Sequence, residues 1–307
     1  MNTVPVEIAC ADGFVLRGHH WPASEATPAR PGVAIITAAT GVLARYYHRY
    51  AAFLAEAGFE VITFDYRGIG GSRPTRLRGM RCRWQDWGRK DLDAVLTDAR
   101  RRWPGAPISV VGHSVGGVVP LWAPRNTEIA RVLSVGGQYA WRGDFAPWAR
   151  RRLIWRWRVV GPVLTSVCGY FPARRLGWME DLPRGVAMEC ARRRPRMEDN
   201  YPRAERDDVV AVAAAMTAPV LAVATTDDEY ATPAAVRRVL GYLRNAPHEF
   251  VLLSPDALGH SAIGHFGLFH SRHRDDFWAD SLRWLLDGEN PWPGHVEPGH
   301  AEPGHVR

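Results

Sequence analysis

Short apolar runs rich in valine and isoleucine alternate with longer amphipathic stretches along most of the chain. This alternation is typical of strand–helix–strand units, which build a mostly parallel sheet with helices on both faces. Near the start, polarity alternates residue by residue over 4–9 and 14–20, on either side of the turn-forming cluster 11–13, which predicts an antiparallel hairpin at the sheet edge. The pattern therefore predicts an α/β fold with an eight-stranded, mostly parallel sheet.

The other predicted elements follow the same two periodicities. Parallel strands are predicted at residues 32–38, 59–66, 108–112, 132–136, 220–225 and 250–253. Helices are predicted at residues 45–56, 86–103, 115–124, 233–243 and 274–286.

One segment interrupts this alternation. Residues 138–207 are rich in tryptophan, arginine and proline and contain no clear strand, so we predict a helical cap inserted into a core formed by residues 1–137 and 208–289. Beyond Asn290 the chain repeats a unit of about five residues rich in Pro, Gly and His. Such a repeat cannot bury a core, so 290–307 is predicted to be disordered. With one histidine per repeat and no fixed geometry, we predict no metal site there.

The excess of positive charge is concentrated in the predicted cap. The whole chain of 307 residues has a formal charge of +7, and residues 142–206 alone contain 15 arginines against 7 acidic residues. Arginines intermingled with tryptophans also suit a nucleic-acid or membrane surface. No nucleic-acid-binding motif accompanies them, so we predict a solvated cap surface and no nucleic-acid partner.

Two further features bear on the cellular compartment. The four cysteines (Cys10, Cys82, Cys168 and Cys190) lack the spacing of a zinc site, which is typical of free thiols in a reducing compartment. The sequence has no basic segment followed by an apolar run at its start and no run of about 18 apolar residues. We therefore expect a cytoplasmic protein with no signal peptide and no membrane insertion.

The strongest chemical signal is the motif Gly112-His113-Ser114-Val115-Gly116, which lies after an apolar strand and before a predicted helix. A serine in this G-x-S-x-G context occupies a tight, strained turn, and the flanking glycines relieve the crowding that side chains would cause. Its hydroxyl is then exposed at the carboxyl end of the strand, and the N–H of Val115 points to where an oxyanion would form. Ser114 is therefore the predicted nucleophile.

A serine hydroxyl needs a histidine to take its proton and a carboxylate to orient that histidine. Asp227 and Asp228 follow a predicted strand; we predict Asp228 and keep Asp227 as the alternative, because one residue of register decides between them. His265 is the predicted base because its apolar neighbours would hold the turn rigidly, and His260 is the alternative.

The oxyanion needs a second N–H donor, normally from the loop before the first crossover helix. Here that loop is 38–42, whose small residues let a substrate approach the backbone closely. Thr40 is the predicted donor, with Gly41 as the alternative.

With these residues in view, the chain resembles the α/β-hydrolase superfamily across residues 4–288. The resemblance supports Ser114 and His265, and it implies neither a metal ion nor an organic cofactor. More narrowly, the chain looks like a group of bacterial α/β hydrolases labelled serine aminopeptidase-like or lysophospholipase-like, through the segments ATGV (39–42), DYRGIGGS (65–72), GHSVGG (112–117), GYFPARRLG (169–177), EDLPRGVA (180–187) and IGHFGLF (263–269).

The expected activity is hydrolysis of a carboxylic ester, a thioester or a small amide through an acyl-Ser114 intermediate. An acyltransferase that uses the same three residues is one alternative, and a noncatalytic binding protein that keeps the fold is another, from a different class. The expected partner is a small-molecule acyl substrate. The sequence leaves open its identity and acyl length, and whether the protein is a homo-oligomer.

Overall fold

A computed structural model describes residues 3–27 and 31–297. The strands, in chain order, are β1 (Val4–Ala9), β2 (Val15–Trp21), β3 (Val33–Thr37), β4 (Glu60–Phe64), β5 (Ile108–His113), β6 (Ile129–Val135), β7 (Tyr170–Phe171), β8 (Leu182–Pro183), β9 (Val220–Thr225) and β10 (His248–Leu253). Eight of them form one sheet in the order β1-β2-β4-β3-β5-β6-β9-β10. Strand β2 runs antiparallel to β1 and β4, and the remaining six strands of this sheet, β4, β3, β5, β6, β9 and β10, are parallel. The predicted eight-stranded α/β sheet is confirmed.

Helices surround this sheet. The α-helices are α1 (His48–Glu56), α2 (Asp93–Arg102), α3 (Pro147–Trp155), α4 (Gly161–Cys168), α5 (Arg184–Arg192), α6 (Arg206–Ala215), α7 (Pro233–Leu240), α8 (Gly264–Gly267) and α9 (Ala279–Asp287). Three π-helical segments adjoin them: Trp87–Leu92, Arg156–Val160 and Arg274–Trp278. Short 3-10 helices span Ala44–Tyr47, Gly70–Ser72, Ser114–Gly117, Val119–Trp122, Asn126–Glu128, Ala173–Leu176, Glu198–Asn200, Arg203–Glu205, Pro255–Leu258, Ser271–His273 and Pro293–His295. Every residue of β3, β5 and β9 is buried, because helices cover both faces of a parallel sheet.

The helix predicted over 115–124 differs from the structure. Two successive 3-10 helices, Ser114–Gly117 and Val119–Trp122, replace it. Pro120 has no N–H to donate and disfavours the α conformation at the residue before it, and the two glycines at 116 and 117 are weak helix formers. The chain after Ser114 is therefore a tight connection rather than an α-helix.

The segment 138–207 is mostly helical, but it also contains the two-residue antiparallel pair of β7 and β8, which the sequence pattern did not predict. Helix α3, the π-helical segment 156–160 and α4 follow one another without a break. The residues of this continuous helix that are buried recur every fourth position: Ala149, Leu153, Trp157, Gly161 and Thr165.

The first part of the stretch predicted to be disordered is packed against the core. Trp292 is buried and stacks on Phe277 with ring centroids 5.5 Å apart. Val296 pairs with Val251 of β10 in an antiparallel bridge. Trp292, the second residue of the repetitive stretch, thus anchors residues 291–297, and the rest of the predicted disordered tail, 298–307, lies outside the described residues.

Within the residues that the structure describes, no helix has the length and apolar character needed to cross a membrane.

Candidate active site

The carboxyl ends of the parallel strands meet at one edge of the sheet, where open α/β sheets bind ligands. Strand β3 ends at Thr37 and leads into the loop 38–43, and β5 ends at His113, directly before Ser114. Strand β9 ends at Thr225, two residues before the Asp227-Asp228 pair. The topology therefore carries the predicted site residues to the same edge.

Ser114 occupies a strained turn. Its φ is +56°, in the left-handed region that side chains other than glycine rarely adopt. A Cβ at Gly112 would collide with the backbone of Gly116, and a Cβ at Gly116 would collide with the carbonyl of Thr37. The predicted crowding around the serine is thus present on both sides of it. Ser114 itself is only 5% exposed, which differs from the exposed hydroxyl that the motif predicts.

Gln138 contacts the serine, and the sequence analysis missed it. Its Nε2 donates to Ser114 Oγ at 3.3 Å, and its Oε1 accepts from the Ala140 N–H at 2.5 Å. Ala140 has a φ of +58°, so the loop that carries the glutamine is strained as well. The sequence signal that could have found Gln138 is its position after the Gly136-Gly137 pair, just beyond a strand that ends at the same sheet edge.

Asp228 and His265 form a shielded pair. His265 Nδ1 lies 2.7 Å from Asp228 Oδ2, and both side chains are almost fully screened from solvent. The other carboxylate oxygen accepts from the N–H groups of Tyr230 and Ala231. Burial alone would raise the pKa of Asp228, but the nearby imidazole and these hydrogen bonds outweigh it and hold that pKa below its ordinary value. The pair can keep the imidazole oriented by an ionised carboxylate. Gly136 has a φ of +60°, and a Cβ there would come within 3.2 Å of the ring of His265, a tight contact that requires the ring to shift by a few tenths of an ångström.

Asp227 has a different position from Asp228. Its Oδ2 accepts hydrogen bonds from the N–H groups of Ile263 and Gly264, at 2.8 and 2.9 Å. Because these two residues directly precede His265, the Asp227 carboxylate fixes the loop that carries the histidine.

His260 lies in a separate polar cluster. Its Nε2 is 2.9 Å from Asp276 Oδ2, and its ring packs against that of His273, with centroids 4.3 Å apart. These three residues each place one candidate ligand atom within 4.8 Å of the others. Asp276 also meets His273 Nδ1 at 3.1 Å, and Arg272 donates to His273 Nε2. The cluster is therefore hydrogen-bonded internally.

His113 links the loop 38–43 to His265 through a chain of hydrogen bonds. The Ala39 N–H donates to the Tyr47 hydroxyl, which lies 2.7 Å from His113 Nδ1, and His113 Nε2 lies 2.8 Å from the His265 carbonyl oxygen. A carbonyl only accepts, so the imidazole carries its proton on Nε2 and accepts from Tyr47. Burial, reinforced by the charge of the neighbouring imidazole, lowers the pKa of His113 to about 3. His113 is therefore neutral at physiological pH.

The two predicted oxyanion donors, Val115 and Thr40, follow the ends of β5 and β3. Val115 is the second residue of its 3-10 helix, so its N–H has no acceptor inside that helix. In the loop 38–43, the Ala39 N–H is already bonded to Tyr47, whereas Gly41 adopts a φ of +68° and accepts a hydrogen bond from the Glu180 N–H at 2.9 Å. Residues of the segment 138–207 therefore touch the loop that contains Thr40.

A cavity of about 700 Å³ is lined in part by this loop. Half of its lining residues are apolar or aromatic, and two arginines, a glutamate and a histidine line it as well. Ser114 does not line it. Its lining includes Thr40, Gly41, Tyr46, Trp178, Met179 and Phe266.

The sheet order and the serine turn after β5 define an α/β-hydrolase fold. A family of enzymes described as serine aminopeptidases S33 (Hydrolase_4) matches residues 32–255, so the chain belongs to this family of hydrolases. A search among curated proteins found no similar sequence.

Solved structures support the same fold. A soluble variant of monoglyceride lipase from Saccharomyces cerevisiae, in complex with a substrate analog, is similar with a TM-score of 0.66 at 17% identity, over 97% of this chain and 98% of that one. Monoacylglycerol lipase from Paleococcus ferrophilus gives a TM-score of 0.56 at 17% identity, over 89% and 99%. The hypothetical protein PA2218 from Pseudomonas aeruginosa gives 0.60 at 14%, over 94% and 93%. At these identities the likeness concerns the fold alone. The chain is an α/β-fold serine hydrolase by family.

Proposed function

We propose that this hydrolase cleaves a carboxylic ester or thioester, or a small amide, through an acyl-Ser114 intermediate, with His265 as the base and Asp228 as the orienting acid. The observation that carries the proposal is the contact between His265 Nδ1 and Asp228 Oδ2, at the sheet edge where Ser114 is held at a positive φ. Asp227 and His260 have other partners, which favours Asp228 and His265 over them.

In the proposed reaction, His265 takes the proton of the Ser114 hydroxyl while the oxygen attacks the acyl carbon. The Asp228 carboxylate stabilises the imidazolium that results. The N–H groups of Val115 and Thr40 stabilise the oxyanion of the tetrahedral intermediate. Its collapse transfers the proton to the leaving group, and water then repeats the cycle to release the acid. Neither a metal ion nor an organic cofactor takes part.

The proposed acyl substrate has an apolar or aromatic acyl group. Trp178, Met179 and Phe266 line the cavity beside the loop of Thr40, and this surface suits an acyl chain or an aromatic group. Because Ser114 is buried and Met179 and Glu180 contact Gly41, we propose that the segment 138–207 acts as a cap over the site.

Active-site labelling and ester hydrolysis test the proposal together. Wild type should react with a fluorophosphonate probe and hydrolyse p-nitrophenyl esters of graded chain length, and Ser114→Ala should do neither. Loss of the triad nucleophile typically lowers kcat by about 10⁴-fold or more. A wild-type protein that is not labelled, under conditions where a known serine hydrolase is labelled, would contradict the proposal.

The chain offers matched controls for the other two roles. His265→Ala and Asp228→Asn should each lower kcat by about 10³-fold or more. His260→Ala and Asp227→Asn change the neighbouring alternatives, and we expect activity within about tenfold of wild type. If His260→Ala or Asp227→Asn lost as much activity as its partner variant, the assignment would be wrong.

A further inference from the structure

The long helix formed by α3, residues 156–160 and α4 is apolar on two faces, and only one of them is covered. The covered face contains the buried residues at every fourth position described above. The second face, which we call the outer stripe, consists of exposed apolar residues separated by seven, four, four and four positions: Trp148, Trp155, Val159, Val163 and Val167. Residues at such spacings lie on one side of a helix. Trp148 is 67% exposed and Val167 is 70% exposed, so nothing in the described chain covers either end of the stripe.

Positive charge surrounds the outer stripe. Residues 145–179 contain 7 arginines and no acidic residue. Arg151 lies one turn from both Trp148 and Trp155, and Arg158 lies one turn from Trp155. Arg152 pairs with Glu229 and Arg174 with Glu180.

Five arginines of this stretch have no acidic partner among the described residues, and two of them make other contacts: Arg150 donates to the Gly143 and Phe145 carbonyls, and Arg156 lies over the Trp178 ring. Arg151, Arg158 and Arg175 are exposed and form no ion pair within residues 3–27 and 31–297. The stripe is thus bordered by arginine charge that the described chain leaves uncompensated.

We propose that the outer stripe docks this protein on the surface of a bilayer that contains anionic phospholipids. A helix that lies in the membrane interface combines an apolar stripe with flanking basic residues, and tryptophan is enriched at that depth. Each arginine near an anionic surface adds attraction that salt screens. The helix would lie along the surface, in keeping with the finding that no described helix can span the bilayer.

The charge also argues against a second copy of the chain as the occupant. A two-fold interface brings the same patch of each protomer together, so Arg151 and Arg158 would face arginines of the other copy. No carboxylate between residues 145 and 179 is present to neutralise them. An anionic lipid surface supplies the complementary charge that the chain itself lacks.

Sedimentation with sucrose-loaded vesicles tests the docking, using phosphatidylcholine alone and phosphatidylcholine with about 30% phosphatidylglycerol. The stripe variant is Trp148→Gln, Trp155→Gln and Val163→Gln together, and its matched control changes exposed apolar residues elsewhere, Val4→Gln, Val15→Gln and Leu286→Gln. The charge variant is Arg151→Gln, Arg158→Gln and Arg175→Gln, and its matched control is Arg76→Gln, Arg81→Gln and Arg244→Gln. Circular dichroism verifies that each variant is folded.

We expect wild type to bind the anionic vesicles at least about tenfold more strongly than the neutral ones, and high salt to weaken this binding. Both the stripe and the charge variants should bind about tenfold more weakly than their controls. Ser114→Ala should bind like wild type, which separates docking from the proposed hydrolysis.

Three results would overturn the docking proposal. Wild type could fail to bind anionic vesicles at low salt. The stripe variant could bind as well as its control. In analytical ultracentrifugation, wild type could form a dimer that the stripe variant cannot form, which would assign the stripe to a second copy.

Discussion

Replacing Tyr47 by phenylalanine tests the hydrogen-bonded chain between the loop 38–43 and His265. The substitution removes one oxygen and keeps the ring, which packs edge-to-face on Phe269 with centroids 5.0 Å apart. Two buried groups lose their partner, the Ala39 N–H and His113 Nδ1. Leaving a buried polar group without a hydrogen bond costs about 1–3 kcal/mol, so we expect Tyr47→Phe to lower the free energy of unfolding by about 2–4 kcal/mol.

The adjacent tyrosine is the matched control. The Tyr46 hydroxyl donates to the Phe266 carbonyl at 2.7 Å, but that contact is exposed to solvent. Water can replace the lost bond, so Tyr46→Phe should cost about 1 kcal/mol or less. Urea denaturation of wild type and both variants measures the difference.

The same pair separates positioning from stability. Because the chain of bonds ends on the His265 backbone, Tyr47→Phe should lower kcat for a p-nitrophenyl ester about 10-fold, with a much smaller change in KM. Tyr46→Phe should leave kcat near the wild-type value. If the two variants lost the same free energy of unfolding and the same fraction of kcat, our reading of Tyr47 and His113 as a buried link would be refuted.

Three further predictions follow from the buried polar groups. Asp91→Ala should lower the free energy of unfolding by about 3 kcal/mol in urea titrations, because it removes the carboxylate that pairs with the buried guanidinium of Arg67, at 2.5 Å; a loss below 1 kcal/mol would contradict it. Ser114→Gly should be about 0.5–1 kcal/mol more stable than Ser114→Ala, because glycine adopts the positive φ without strain but has more freedom when unfolded; equal stabilities would mean that the turn is not strained. The pKa of Asp228 lies below the ordinary 3.8, so its ionised form stabilises the fold above that pH, and the contribution is lost as the pH falls through the lower folded pKa. The difference in unfolding free energy between wild type and Asp228→Asn should therefore shrink in urea titrations carried from neutral pH to below 3.8, and a difference independent of pH would count against the lowered pKa.

The sequence predicted the sheet well because each strand has a local signature. The hairpin strands and the strand at 220–225 were predicted to within one residue. The structure after Ser114 was harder to predict. The glycines and Pro120 favour two 3-10 helices over one α-helix, but they leave the apolar pattern of a helix unchanged. The anchoring of residues 291–297 depends on the packing of one tryptophan, Trp292, against Phe277. The Pro- and Gly-rich repeat around this tryptophan gives no indication of that packing.

The candidate site was predictable in its residue types and less so in their contacts. The sequence pattern does not distinguish Asp228 from Asp227. The side chains of adjacent residues point in different directions, and tertiary structure sets the register that decides which carboxylate faces the histidine. Rigidity of the His265 mount was expected from apolar neighbours, and the structure adds the two hydrogen bonds to Asp227. Gln138 touches Ser114 across 24 positions of the chain, so the Gly136-Gly137 pair before it marks a turn at the sheet edge but does not indicate which residue the side chain contacts.

The hydrogen bond from the Glu180 N–H to the Gly41 carbonyl has a kinetic consequence under the proposed function. For a bulky acyl group to approach the buried serine, residues 178–181 must move outward, and that movement breaks the hydrogen bond to Gly41. Gly41 belongs to the loop 38–43, whose N–H groups would stabilise the oxyanion. Substrate binding is then faster when this hydrogen bond is weak, whereas acylation is faster when the bond is strong and holds the loop in place. A weaker hydrogen bond at this point would therefore raise the rate of substrate association and lower the turnover rate of the enzyme–substrate complex.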